Sequence, residues 1–137
     1  MEKNTSLEKI NKILELKKEK GALVLAHYYQ NLDIQHVADF CGDSFELAKI
    51  ARESDKNIIV FCGVSFMAES AKIMNPEKKV FIPRRDAGCQ MADMVTPEIV
   101  LEMKEKHPDA VVVCHINSFG LVMVGLDSPI LPSHTRA

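Results

Sequence analysis

Short, wholly apolar segments alternate along this chain with segments whose apolar residues repeat at helical spacing. The apolar segments are candidate strands, and they fall at 22–26, 57–62, 79–83 and 110–116. Strands without polar positions are typical of a parallel sheet that helices cover on both faces. The pattern therefore predicts an α/β fold, a three-layer αβα domain with a short parallel sheet.

The intervening segments predict helices at 5–21, 34–42, 43–51, 66–74 and 96–106, with a short helical piece near Cys89. Asp43 and Glu46 have the spacing of a capping box, which favours a helix start at that point. In this interpretation Cys41 lies on the apolar face of a helix and Cys114 in a buried strand, so both are packing residues. Cys62, at a strand end, is also interpreted as a packing residue.

Composition and charge exclude several classes of protein. The 137 residues suit one domain, and 17 basic against 19 acidic residues give a net charge of −2, which excludes nucleic-acid binding through bulk charge. No apolar run is long enough to span a membrane, and the first residues lack a signal peptide's apolar stretch, so we expect a cytoplasmic protein. None of the four cysteines forms a C-x-x-C pair, which argues against a zinc knuckle.

Polar side chains follow the predicted strands, and ligands of open parallel sheets bind beyond the carboxyl ends of the strands. The segments at these ends are 27–30, 62–67, 84–89 and 115–118. His27 is either a donor to an acidic ligand or a buried, satisfied histidine. Of Tyr28 and Tyr29, one is expected to pack on the sheet while the other reaches the site.

Two predicted helix starts place further candidate functional groups at this edge, a hydroxyl at Ser44 and a thiol at Cys89. At Ser44 the free N–H groups of a helix start favour an anion, although simple capping by Asp43 or Ser44 explains the same residues. Cys89 follows Gly88 at a predicted helix start, where the helix dipole lowers a thiol pKa and the glycine leaves space for a bulky partner.

Six motifs occur in order along the chain: Ala26-His27-Tyr28-Tyr29-Gln30, Gly42-Asp43-Ser44, Phe61-Cys62-Gly63-Val64, Phe66-Met67-Ala68-Glu69, Ala87-Gly88-Cys89-Gln90-Met91-Ala92-Asp93-Met94 and Ile116-Asn117-Ser118. Together they resemble the amino-terminal part of quinolinate synthase (type A, iron–sulfur) over roughly residues 7–118. The resemblance implies the first of three α/β domains around a pseudo-threefold axis. It also implies condensation of iminoaspartate (iminosuccinate) with dihydroxyacetone phosphate to quinolinate, in the de novo biosynthesis of NAD.

The resemblance also implies roles for individual residues. Cys89 resembles the first of three cysteine ligands of a [4Fe–4S] cluster, and Tyr29 the tyrosine that transfers a proton during ring formation. The positions that resemble substrate contacts are His27 and Ser44 for the carboxylates of iminoaspartate, Phe66 and Met67 for the pocket wall, and Asn117. His115 stands where the family usually has tyrosine, so that substrate contact is altered or lost.

The resemblance divides the chain into a first domain at 1–109, the opening strand of a second domain at 110–118, and a divergent tail at 119–137. The other two cluster cysteines have no counterpart in this sequence. We therefore expect a quinolinate synthase fragment that is inactive alone, or else a catalytically dead domain that at most binds small anions. The expected partners are the two substrates, with self-association through uncovered domain surface, and neither nucleic acid nor membrane.

Overall fold

A computed structural model describes residues 2–118, 120 and 122 of the chain. Four parallel strands form one sheet in the order β2-β1-β3-β4: β1 (Ala22–His27), β2 (Phe40–Gly42), β3 (Ile58–Cys62) and β4 (Lys79–Phe81). The helices are α1 (Glu2–Lys20), α2 (Leu32–Val37), α3 (Ser44–Glu53), α4 (Ser65–Met74) and α5 (Pro97–Lys106). A short 3-10 helix spans Ala92–Met94.

The alternation of side chains along β1 and β3 separates the two faces of the sheet. Leu23, Leu25, Ile59 and Phe61 pack with α3 and α4 in the main core. On the other face a smaller cluster, built around Val24, Ala26 and Cys62, meets α2. On that face α1 and α2 line an open apolar cavity of about 750 Å³ against the sheet. The fold is therefore the predicted three-layer αβα domain, with one layer packed more densely than the other.

Most of the predicted elements are confirmed, with shifted ends. The first helix begins at Glu2, before the predicted start at Thr5, and it stops at Gly21, whose φ of 60° suits glycine. Asp43 caps α3 by accepting a hydrogen bond from the backbone N–H of Glu46 at 2.8 Å. Thr96 caps α5 in the same way, so these helix starts were correctly predicted from the sequence.

Two predicted elements are wrong. The helix predicted over 34–42 ends at Val37, and Phe40–Gly42 is an edge strand paired with Leu25–His27. Cys41 is therefore exposed on β2 rather than buried on a helix. The predicted strand at 110–116 does not form, because no strand in the described part of the chain lies beside it; Val111 and Val113 are exposed and Cys114 is half-buried.

The predicted domain boundary at 109 and the second-domain assignment of 110–118 remain predictions. Gly120, beyond this segment, donates its backbone N–H to the Glu69 carboxylate of α4 at 2.7 Å. Most of the predicted tail at 119–137 lies outside the described residues.

Candidate functional site at the carboxyl edge of the sheet

The chain turns sharply at the carboxyl end of β1. Gln30 donates its backbone N–H to the carbonyl of His27 at 2.9 Å, and Tyr28 donates to the carbonyl of Gly42 at the end of β2 at 3.1 Å. From α2, the amide Nε2 of Gln35 donates to the carbonyls of Tyr28 at 3.0 Å and Gln30 at 2.7 Å. The turn at 27–30 is thus held by the neighbouring strand and by the following helix.

His27 is the buried member of this turn, with 6% of its surface exposed. The backbone N–H of Tyr29 donates to His27 Nδ1 at 3.4 Å, so Nδ1 is an acceptor and Nε2 carries the proton of the neutral ring. Burial lowers the pKa of His27 below 6.5, and the carboxylate of Asp43 only partly opposes this shift. His27 is therefore a neutral ring with an Nε2–H donor at neutral pH.

Both tyrosines stack around the imidazole. The ring centroids of Tyr28 and Tyr29 lie 4.3 and 4.0 Å from that of His27. Neither tyrosine packs on the sheet as one was expected to do, because both are more than half exposed, Tyr28 at 64% and Tyr29 at 51%. Tyr29 is the one that reaches the other residues of the edge.

The phenol of Tyr29 interacts with the start of α4 and with Cys89. Burial is the main cause that raises the pKa of Tyr29, and the charge of Cys89 raises it further. The backbone N–H of Val64, just before α4, acts in the opposite direction by hydrogen bonding to the phenolate. Tyr29 and Cys89, far apart in sequence, are thus close enough for the charge of one to act on the other.

The start of α3 resolves one alternative left open by the sequence. Asp43 is the capping residue, since its side chain accepts from Glu46. Ser44 is buried at 7% exposure in the first turn, and its hydroxyl does not serve as the cap. Ser44 follows the end of β2, next to the Asp43 carboxylate that acts on His27, and its role as a carboxylate ligand remains a prediction.

Cys89 is half-buried and packs against the edge of the main core. The prediction that it starts a helix is wrong in detail, because the 3-10 helix begins at Ala92 and is only three residues long. Such a short helix gives no basis for the dipole effect expected at Cys89. Apart from its chain neighbours, a Cβ added to Gly88 would meet nothing closer than the Asp93 carboxylate at 3.7 Å, so Gly88 itself is not closely approached among the described residues.

The other predicted site residues lie elsewhere. Phe66 and Met67 are buried in the main core, at 2% and 3% exposure. Met67 nevertheless reaches the strand end, because a Cβ on Gly63 would lie 2.6 Å from its sulfur. His115 is exposed, and its Nδ1 accepts the backbone N–H of Asn117 at 3.1 Å.

Among the described residues, neither His115 nor Asn117 forms a hydrogen bond or ring contact with His27, Tyr29 or Cys89. The side-chain oxygen of Asn117 is buried without a hydrogen-bond partner among the described residues. The substrate-binding roles of His115, Asn117, Phe66 and Met67 remain predictions.

Two groups that support the site were not anticipated from the sequence. Gln35 holds the 27–30 turn, and Val64 contributes only a backbone N–H. A backbone donor leaves no signal in residue type. The signal for Gln35 was its place in the first turns of a helix that follows the strand-end motif directly.

Comparison with known proteins decides the family. The family model for quinolinate synthetase A protein matches residues 11–127. The chain belongs to this family. Among its relatives, quinolinate synthase of Clostridium perfringens (strain SM101 / Type A) is 63% identical over 108 residues, which cover 79% of this chain and 36% of the relative.

Other members of the quinolinate synthetase A family show the same pattern of coverage. The quinolinate synthase of Sulfurihydrogenibium sp. is 60% identical over 86% of this chain and 37% of its own length. That of Aquifex aeolicus is 52% identical over 92% of this chain and 40% of its own length. The chain therefore spans well under half the length of these family members. No helix among residues 2–118 has the length and apolarity to cross a membrane.

The donor set at this edge does not by itself suit a [4Fe–4S] cluster. Such clusters are held by several thiolates. Cys89 packs against the main core on one face of the sheet, whereas Cys62, the last residue of β3, packs in the smaller cluster on the other face. Cys41 is exposed on β2. No group of three or more metal-ligating side chains occurs within the described residues. The described residues therefore do not by themselves form the ligand set of a cluster.

Proposed function

We propose that this chain supplies the first-domain part of a quinolinate synthase, which condenses iminoaspartate with dihydroxyacetone phosphate, releases phosphate and water, and forms quinolinate for NAD biosynthesis in the cytoplasm. The observation that carries the proposal is the packing of the neutral His27 ring against the Tyr29 ring at the carboxyl end of β1, with 4.0 Å between the ring centroids. The family membership supports the same reaction.

His27 and Ser44 bind the carboxylates of iminoaspartate in this proposal. The Nε2–H of His27 is a donor whose direction is fixed by the bond to Nδ1. Ser44 lies in the first turn of α3, where backbone N–H groups and the helix dipole favour negative charge. Asp43 and Glu46 already place negative charge in this turn, so the neutral donors must provide the attraction that makes the site selective.

Tyr29 transfers a proton during ring formation. A tyrosine phenol is protonated at neutral pH, and the raised pKa of Tyr29 makes it a weaker acid, which gives up its proton only to a strongly basic group. When the proton leaves, the N–H of Val64 is placed to stabilise the phenolate. The exposure of half of the Tyr29 side chain leaves the group accessible to a substrate.

Cys89 contributes one of the thiolate ligands of a [4Fe–4S] cluster, and the other ligands come from outside this chain. The chain alone is therefore inactive. The test is anaerobic reconstitution with iron and sulfide, followed by an assay for quinolinate. Formation of quinolinate by the reconstituted chain would refute the inactivity.

Carboxylate binding is tested separately with malate, a stable dicarboxylate, by NMR titration of the histidine rings. His27→Gln and Ser44→Ala should each weaken malate binding by about fivefold or more, the value of roughly one hydrogen bond. Ser54→Ala, at the other end of α3, is the matched control and should bind malate as the unaltered chain does. Equal affinity in Ser44→Ala and Ser54→Ala would remove Ser44 from the site.

A second candidate is a non-catalytic domain that binds small anions and associates with itself. The observation in its favour is the apolar surface left uncovered on α5, where Ile99, Leu101 and Met103 are about half exposed. Sedimentation of the chain tests this candidate. A monomer that binds malate but never yields a cluster would fit an anion-binding domain without the self-association.

A further inference from the structure

The 27–30 turn has little freedom to adjust, because α2 follows it without a linker. Asn31 caps α2 by accepting the backbone N–H of Ile34 at 3.0 Å, directly after the turn. Gln35, half-buried in this helix, reaches back to the turn rather than out to solvent. The 27–30 turn and α2 are therefore joined by hydrogen bonds and should move together.

The bonding pattern of Gln35 fixes the orientation of its amide. Both acceptors are carbonyl oxygens, at 3.0 and 2.7 Å, so the NH₂ group and not the amide oxygen must face the turn. An amide NH₂ has two protons, and each is used on a different carbonyl. Among side chains of this length, glutamine is the one that donates two hydrogen bonds from one uncharged nitrogen.

The two carbonyls lie on either side of Tyr29. The carbonyl of Tyr28 belongs to the peptide unit that precedes Tyr29, and the carbonyl of Gln30 belongs to the unit that follows Gln30. Holding both units restricts the backbone dihedral angles of Tyr29. Those angles determine where the phenol points and whether the Tyr29 N–H meets His27 Nδ1.

We propose that Gln35 is a positioning residue, which fixes the backbone of Tyr29 and thereby sets both the phenol direction and the tautomer of His27. The proposal deepens the proposed function, on which it rests for the roles of His27 and Tyr29. It adds a residue of α2, the helix that directly follows the turn. Its effect passes through two backbone carbonyls.

The composition of the chain makes the test direct. There are two tyrosines and no tryptophan, so incorporation of 3-fluorotyrosine gives one ¹⁹F resonance each for Tyr28 and Tyr29. Tyr28→Phe assigns the two resonances. Imidazole ¹⁵N spectra report the tautomer of His27, assigned with His27→Gln.

Gln35→Met removes the donors at nearly constant size, and Gln35→Glu places a carboxylate against the two carbonyls. We expect both variants to shift the Tyr29 resonance, to give His27 a mixture of tautomers, and to weaken malate binding by about fivefold or more. His36→Met, at the exposed next residue of α2, is the control and should change none of these. Urea unfolding identifies any variant that fails to fold, and the other variant then decides.

The outcomes separate this inference from the function on which it rests. An unchanged Tyr29 resonance and a single His27 tautomer in a folded Gln35 variant overturn the positioning role. Spectral changes without any loss of malate affinity, in a chain that binds malate, also overturn it. If the unaltered chain does not bind malate, the carboxylate site fails, while the two spectra still decide the role of Gln35.

Discussion

Lys78 is a buried cation that stabilises the carboxyl end of α3. Its side chain is buried, with 7% exposed, and its ammonium reaches the carboxyl end of α3. Nζ donates to the carbonyls of Ala51 at 2.7 Å, Arg52 at 3.3 Å and Ser54 at 2.7 Å. These are carbonyls that the helix itself leaves without partners. Lys78→Met removes the ammonium and retains most of the hydrocarbon.

The magnitude follows from the number and type of these bonds. A hydrogen bond to a charged group contributes about 1.5–3 kcal/mol, and a cation at a helix carboxyl end up to about 2 kcal/mol. Burial of the ammonium costs several kcal/mol in return, so the sum of the bonds overstates the net effect. We expect Lys78→Met to lower the free energy of unfolding by about 2–4 kcal/mol.

Urea unfolding followed by far-ultraviolet circular dichroism measures this loss. With a slope of about 2 kcal/mol per molar urea, the midpoint should fall by about 1–2 M. Lys79→Met is the matched control, because Lys79 is the exposed neighbour on β4, and its effect should stay within about 0.5 kcal/mol. Equal midpoints for the two variants would refute the capping role of Lys78.

Three further predictions concern pH, backbone conformation and thiol reactivity. Burial lowers the pKa of His27 in the folded chain, so the unfolded chain binds a proton at this ring at higher pH than the folded chain does. The stability that neutral His27 contributes is therefore present above pH 6.5 and declines as the pH falls below that value. Urea midpoints between about pH 7 and pH 5 should show this decline in the unaltered chain and not in His27→Gln. Gly21→Ala should cost about 1 kcal/mol because φ is 60°, whereas Gly88→Ala, with no atom within 3.7 Å and no positive φ, should change the midpoint little. Exposed Cys41 should react with iodoacetamide well before Cys62, whose pKa is raised by burial and by Cys41, and equal rates by mass spectrometry would contradict this.

The elements predicted correctly are those whose signals are local. The apolar runs of β1 and β3 and the capping residues of α3 and α5 lie within the segments that they specify. The two errors concern pairing. Three residues, Phe40–Gly42, are too few for a periodic pattern, and they form a strand because β1 lies beside them. The segment 110–116 has the composition of a strand but no described strand beside it, and composition does not replace hydrogen-bonding partners.

The candidate site was predictable in outline for a topological reason. Parallel strands bring their carboxyl ends to one edge, so His27 and Cys89 could be expected there together. The finer geometry depends on backbone groups and on long-range distances. Neither the N–H of Val64 nor the tautomer of His27 is visible in residue type, and both appear only when the turn, α2 and α4 are packed.

The cavity beneath α1 has a consequence for how the domain opens. The α3 and α4 face is held by a continuous core, while α1 meets the sheet across about 750 Å³ of apolar space. We therefore expect the free energy needed to detach α1 to be smaller than that needed to separate α3 or α4. Amide hydrogens of α1 should exchange with solvent through partial opening of the domain, whereas those of β1 and β3 should exchange only through global unfolding.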